Sequence, residues 1–264
     1  MIRIKFLIAS LLLAFTGIFL FSCTKSNSDS SSIVFTFSHT VDGQPVQFDT
    51  IKYINAAGNQ YSVSNIQYFV SDFKFWKHDG TQINYTNPQD IHYVDTDIPG
   101  TFTWNFSNNI IPGDYDSITF NFGIDTLKNK PGLFSTTPEM DMSWPMMMGG
   151  GYHYMKLNGK WIPAGGTEAM PFGVHLGIGQ IYNADSTINH YVQNYFVVKL
   201  DKSFTILNGQ TKTFNINMNI EKWFKYPYVY NFDVYGGSIM GNQEAQNIFK
   251  KNGKFVFSES ISSR

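Results

Sequence analysis

The sequence predicts an all-β fold: a single antiparallel β-sandwich with long loops and one short C-terminal helix. Three observations carry that expectation. Apolar and polar residues alternate over many short segments, which is the period of a half-buried strand. Clusters of Gly, Pro, Asn and Asp separate those segments. Helical periodicity is confined to one stretch near the end. Many short strands without a repeat of about 20–50 residues argue for one sandwich and against a repeat array.

In chain order, Ile33, Phe35 and Phe37 alternate with Val34, Thr36 and Ser38, and His39 continues the Phe35/Phe37 parity up to a turn at Asp42-Gly43. Ile66, Tyr68 and Val70 share a face, but the apolar positions then move to Phe73 and Phe75. That change of parity predicts a bulge near Ser71-Asp72. His92, Tyr93 and Val94 form a short strand closed by Asp97-Ile98-Pro99-Gly100. Ile118, Phe120, Phe122 and Ile124 alternate after the turn Pro112-Gly113-Asp114. Val192, Phe196, Val198 and Leu200 make a further strand. Phe214, Ile216, Met218 and Ile220 against Asn215, Asn217 and Asn219 give the clearest half-buried pattern. Asn242 is placed to cap a helix with Ala245, Ile248 and Phe249 on one face and Gly253 ending it. Glu221 to Tyr226 reads as a single turn. Residues 126–172 interrupt the strand rhythm with a long Gly/Pro/Met-rich excursion, and loops of that length inside a compact domain are usually functional.

The N-terminus reads as an address. Arg3 and Lys5 precede an apolar run from Phe6 to Phe21 that ends in Leu20-Phe21-Ser22-Cys23. The run is too short and interrupted for a comfortable membrane span. A leucine three positions before a cysteine resembles a bacterial lipobox, so residues 1–22 are expected to be a lipoprotein signal peptide and Cys23 the lipidated N-terminus. Residues 23–32 are polar and Ser-rich, a flexible tether, and 33–264 form the domain. Without Arg3 and Lys5 the basic residues fall from 19 to 17 against 20 acidic, a net charge of about −3. That balance argues against nucleic acid as a partner. Cys23 is the chain's one cysteine, so neither disulfides nor a multi-cysteine thiolate metal site is expected.

The chemistry concentrates in residues 140–177. Met140, Met142, Met146, Met147 and Met148 surround Trp144 and precede Gly149-Gly150-Gly151-Tyr152-His153. Thioether and imidazole are ligands that suit copper, although methionine also fills irregular gaps beside aromatic rings. Alternation puts His153, Met155 and Leu157 on one side and Tyr152, Tyr154 and Lys156 on the other. In the following strand Phe172, Val174, Leu176 and Ile178 form the apolar face, so His175 points the other way, between Gly173 and Gly177, which leave open space around it. A functional and a plain surface histidine both fit that pattern. His39 and His92 each sit in an apolar strand, where a hydrogen-bonded core histidine is the expected role and a secondary metal site the alternative.

Other chemistries have less behind them. Gly177-Ile178-Gly179 lacks the strand–glycine–helix context of a dinucleotide site. Asp95-Thr96-Asp97 and Asp114-Tyr115-Asp116 offer weak calcium candidates that turn capping explains as well. No nucleophile elbow is present. Carboxylates meeting from distant strands would still allow a hydrolase, and the aromatic surplus would suit a surface that stacks sugar rings.

Several segments together carry a resemblance. They are Tyr61 to Asp72, Tyr115 to Asp125, Met142-Ser143-Trp144 through Gly151-Tyr152 with Lys156-Leu157-Asn158-Gly159, Phe172 to Gly177, and Ile239-Met240-Gly241-Asn242 through Phe257. In order, over nearly the whole chain after Cys23, they resemble the MbnP-like family of periplasmic copper-binding proteins, which has CorA/MopE-type relatives; the lipobox resembles its lipoprotein branch. The resemblance implies a β-sandwich periplasmic copper-binding protein; the CorA/MopE-type relatives hold Cu(I) with two histidines and a tryptophan oxidised to kynurenine, and in the MbnP pair a di-haem, peroxidase-like partner makes that oxidation. Trp144 matches the first tryptophan of the family's Met-x-Trp-x-Trp-x-x-Gly-Tyr segment, and His175 the histidine of its Phe-x-x-His-x-Gly segment. Met146 stands at the spacing of the second tryptophan, followed by two extra residues before the glycines. His153 follows Gly151-Tyr152, where many relatives carry no histidine.

The resulting expectation is a non-enzymatic lipoprotein of the bacterial cell envelope, anchored through Cys23 and facing the periplasm or the cell surface. It binds copper, as Cu(I) in preference to Cu(II), through His175 and His153, with Trp144, Met142 and Met146 nearby. Its role is acquisition, storage or delivery. The competing expectation is a surface lipoprotein that binds glycan or peptide through the aromatic Met/Gly-rich loop.

Overall fold

Two sheets pack face to face in the computed structural model, which describes residues 30–84 and 90–263. The leader, Cys23 and most of the expected tether lie outside the described residues. Strand Ser31–Val41 is central to the first sheet. One edge of it pairs with Thr211–Asn219, which in turn pairs with Phe257–Ser263; the other edge pairs with Thr103–Ile110. The second sheet is built on the 17-residue strand Gln60–Trp76. Its first half pairs with Met155–Ile162, followed by Met170–Leu176. Its second half pairs with Ser117–Phe122, followed by Phe196–Leu200. Ile91–Asp95 runs along the opposite edge, so that Tyr68 faces Met155 on one side and Val94 on the other.

The expected alternation is present. In Ser31–Val41 every second residue from Ser31 to Val41 is buried, His39 among them. The facing side chains of the two sheets interleave: Phe35 meets Phe73 with ring centres 4.3 Å apart, Phe37 meets Tyr68 at 6.3 Å, and Phe122 meets Phe257 at 5.4 Å. Such ring pairs are each worth about 0.5–1.5 kcal/mol beyond the area they bury. The aromatic surplus of the sequence is therefore largely core.

Three details differ from the expectation. The Ser31–Val41 and Thr211–Asn219 pair is parallel, because side-chain alternation has period two in either direction and does not encode strand sense. That strand also starts at Ser31, inside the expected tether, where Ser32 Oγ meets Thr211 Oγ1 at 2.7 Å and Ser31 Oγ donates to the Leu207 carbonyl at 2.9 Å. The C-terminal helix Gln243–Asn252 is capped by the Asn242 side chain, as expected, but Gly253 is right-handed and leads into a further turn, Gly253–Phe255. Glycine is needed there for space: a Cβ would stand 2.1 Å from Phe196 Cζ.

The bulge is present. Pairing with Ser117–Phe122 shifts register between Ser71 and Lys74, and Asp72 takes a φ of 55°. The Asp72 carboxylate accepts from Asn121 Nδ2 at 2.8 Å and from Ser71 Oγ at 3.1 Å, and pairs with Lys128. Burial pushes this carboxyl up, but Lys128 and the hydrogen bonds outweigh burial and hold it below its usual range. The chain from Gly123 to Tyr154 carries Trp144 and His153 of the site, and strand Met170–Leu176 carries His175.

Candidate metal centre

The methionine-rich segment folds as an irregular hairpin. Trp144 N–H donates to the Gly151 carbonyl at 2.8 Å, and His153 N–H to the Met142 carbonyl at 2.7 Å. Met146–Met148 make a single 3-10 turn at its tip. Gly149, Gly150 and Gly151 have φ values of 115°, 68° and 78°, three successive conformations that side chains resist. Those glycines return the chain sharply enough to place Tyr152 opposite Ser143. Asn129 Oδ1 accepts the Tyr152 N–H at 2.8 Å and pins the returning arm.

The return brings His153, His175 and Trp144 together. The His153 ring lies 4.7 Å from the indole of Trp144 and 5.2 Å from the ring of His175, edge to face in both cases. Trp144 and His153 are buried and His175 is half-buried. Burial pulls the His153 imidazole down to about 3 and the His175 imidazole to about 4, and the charge of Lys156 pushes both the same way. Both rings are therefore neutral near pH 7. His153 Nδ1 sits 2.8 Å from the Met142 carbonyl oxygen, which only accepts, so Nδ1 carries the hydrogen and Nε2 the lone pair. His175 Nε2 sits 2.9 Å from Asn158 Oδ1, which places its hydrogen on Nε2 and leaves the lone pair on Nδ1. Metal-binding histidines are typically held in this way, by a hydrogen bond from the other ring nitrogen.

The candidates do not all meet. Two neutral imidazoles, an indole and the Met142 carbonyl form the cluster. The Met142 side chain instead packs with Phe69, Tyr93, Ile124 and Tyr152. Met146 is 70 % exposed, with its sulfur beside Gly150. Trp144 Nε1 donates to the Met148 carbonyl at 3.1 Å, so Met148 too contributes backbone. Of the flanking glycines, Gly177 does not leave open space: the indole of Trp144 fills it. The alternation reading of His153 also fails. The strand begins only at Met155, and irregular backbone at His153-Tyr154 swings the ring off the Met155/Leu157 side toward His175. His39, buried, and His92, half-buried, stand apart, each with its own hydrogen bond. His39 Nε2 lies 3.2 Å from Tyr68 Oη, and His92 donates to the Thr101 carbonyl at 2.8 Å while stacked on Trp104. Among the described residues no group of three or more His, Cys, Asp or Glu converges as a metal site. Asp95 and Asp97 are occupied by turn and strand hydrogen bonds.

Several residues that build the site were not singled out for it from the sequence, Asp97 having been weighed only as a calcium candidate. Asn158, Asn65 and Asp97 line up behind His175. Lys156 faces His175 across the two strands and donates to the Asp141 carbonyl at 2.7 Å. Buried Gln246 and Asn194 hold the backbone of Gly177 from the C-terminal helix and the neighbouring loop. The usable signal lay in Lys156 and Asn158, which share the alternation class that faces His175.

Fold and site together define a class: a β-sandwich that gathers two neutral histidines and a buried tryptophan under a methionine- and glycine-rich hairpin. The chain belongs to the MbnP family, whose model matches residues 30–241. The solved structure of MbnP from Methylosinus trichosporium is similar to it, with 14 % sequence identity and a TM-score of 0.51, over 88 % of this chain and 98 % of that one. At that identity the likeness concerns the fold. A search of curated proteins gave no match.

Proposed function

We propose that this MbnP-family protein binds copper through His153 and His175 and serves in its acquisition, storage or delivery, without turning over a substrate. The observation that carries this reading is the imidazole pair: two neutral rings 5.2 Å apart, each with one N–H anchored to an oxygen and one nitrogen bearing a lone pair. Imidazole suits several transition metals, and the family resemblance selects copper among them. The neighbouring Lys156 ammonium favours the singly charged ion, since repulsion scales with the charge of the metal. Trp144 forms the third side of the cluster. The packing of Met142 with Phe69, Tyr93, Ile124 and Tyr152 and the exposure of Met146 favour a pair that works without their sulfurs.

The same reading extends to the cell envelope, with anchoring through lipidated Cys23, and to a di-haem, peroxidase-like partner that would oxidise Trp144. Intact-mass measurement of protein from its native host tests that oxidation. For copper itself, the test is titration of the protein with Cu(I) under reducing conditions, alongside His153→Ala and His175→Ala. The wild type should bind one equivalent and both variants should bind far more weakly. Equal, weak binding by all three would end the proposal.

A second reading has one observation in its favour. Ile91, His92, Tyr93, Trp104, Phe134 and Glu139 help line a cleft of about 570 Å³, within the size range of small-ligand sites. A glycan or peptide would find ring faces and one carboxylate there. Binding on a glycan or peptide array, abolished by Trp104→Ala in a protein without copper affinity, would favour this alternative.

A further inference from the structure

Behind His175 runs a chain of hydrogen bonds with a defined direction. Asp97, exposed in the turn after Ile91–Asp95, accepts from Asn65 Nδ2 at 3.1 Å. Asn65 Oδ1 accepts from Asn158 Nδ2 at 2.8 Å, and Asn158 Oδ1 faces His175 Nε2 at 2.9 Å. The register makes this possible: Asn158 is directly opposite Asn65 on one side and Gly173 on the other, which puts His175 diagonally across from it. A Cβ at Gly173 would lie 3.0 Å from His175 Nε2 and 3.3 Å from Asn158 Oδ1, so glycine keeps that bond clear.

An amide presents a donor on one side and an acceptor on the other, whereas an ionised carboxylate only accepts. Asp97 therefore turns the NH₂ of Asn65 toward itself, which turns the Asn65 carbonyl toward Asn158, and so on along the chain. Each amide passes the same polarity to the next. At the far end an acceptor meets the imidazole. We propose that Asp97, acting through Asn65 and Asn158, fixes the hydrogen of His175 on Nε2 and thereby keeps Nδ1 available to a metal. The three are positioning residues and not ligands. The inference deepens the copper reading and rests on it for its consequence, but the tautomer is a property of the metal-free protein.

The direction of the chain can be reversed from its exposed end. In Asp97→Lys the terminal group only donates. Asn65 and Asn158 would then turn over, and Asn158 would present its NH₂ to Nε2, moving the hydrogen of His175 to Nδ1. The experiment is ¹⁵N NMR of the histidine side chains in the metal-free, labelled protein. The wild type and Asp97→Glu should show His175 protonated on Nε2, and Asp97→Lys on Nδ1. Asn65→Leu, which cuts the chain, should give a mixture of tautomers. Cu(I) affinity should fall about 10–100-fold in Asp97→Lys, the usual loss when an outer partner of a metal-bound histidine is removed. The tautomer is the deciding readout, because a new cation would also weaken binding by repulsion. A wild-type His175 protonated on Nδ1, or an Nε2 hydrogen unmoved in Asp97→Lys and Asn65→Leu, would overturn the proposal. A tautomer that switches in a protein without copper affinity would sustain the chain and defeat the copper reading. Copper binding with an unmoved tautomer would do the reverse.

Discussion

The indole of Trp144 packs against Gly177 so closely that a Cβ at 177 would stand 2.5 Å from ring atoms Cε3 and Cζ3. The ring has no free end that could bend away, and Gln246 and Asn194 hold Gly177 from behind. Gly177→Ala must therefore displace Trp144 from its place beside His153. Overpacking of this kind costs about 1–3 kcal/mol. The expected outcome is a lower Tm together with weakened Cu(I) binding, measured by thermal melting and titration. A variant with unchanged affinity would mean that the position of Trp144 does not matter to the metal.

The methionines divide by burial. Met142 is fully buried in the small cluster around Phe69 and Tyr152, so Met142→Ala should cost about 2–5 kcal/mol of stability. Met146, largely exposed, should change stability by no more than about 0.5 kcal/mol when truncated. Met142→Leu and Met146→Leu keep the volume and remove the sulfur, and both should leave Cu(I) affinity unchanged. A loss in either would bring a thioether back into the site.

Acid should act on the fold before it acts on the site. The folded-state pKa values of His39, His153 and His175 lie near 4, 3 and 4, in each case mainly through burial. An unfolded histidine titrates near 6.5. Above that pH no protons are taken up on unfolding by these groups, and their contribution to stability is complete. As pH falls below about 6.5 the unfolded chain binds protons that the folded chain refuses, and stability drops by on the order of 1 kcal/mol per pH unit for each fully buried histidine. His175 is only half-buried and contributes less. Urea unfolding between pH 7 and pH 4 checks the slope, and His39→Leu should reduce it by the share of one histidine. The same low values mean little proton competition for copper, so Cu(I) affinity should stay flat from pH 7 to about pH 5.

The charge of Lys156 pushes down both site imidazoles. Lys156→Gln should strengthen Cu(II) binding more than Cu(I) binding and lower the reduction potential of bound copper, read by voltammetry. Equal changes for both ions would remove Lys156 from the selectivity argument.

What could be read in advance followed from local periodicity. His175 sits within a regular strand, so its direction away from Val174 and Leu176 was legible from alternation alone. His153 sits two residues before a strand begins, and parity gave it the wrong side. The bulge at Ser71-Asp72 was visible because it shifts a pattern. The parallel pairing of Ser31–Val41 with Thr211–Asn219 was not, because it leaves the pattern unchanged. The roles of Met142 and Met146 depend on a hairpin with no period, and Trp144 owes its place to a glycine 33 positions on. Asp97, Asn65 and Asn158 come from three segments whose alignment depends on register, which no single stretch of sequence contains.

The ligand set is tested most directly by X-ray absorption at the copper edge of the loaded protein. The wild type should show the multiple-scattering signature of two imidazoles without a sulfur shell, reduced to one imidazole in His175→Ala. A sulfur-dominated shell in the wild type, or an imidazole count unmoved by His175→Ala, would contradict it.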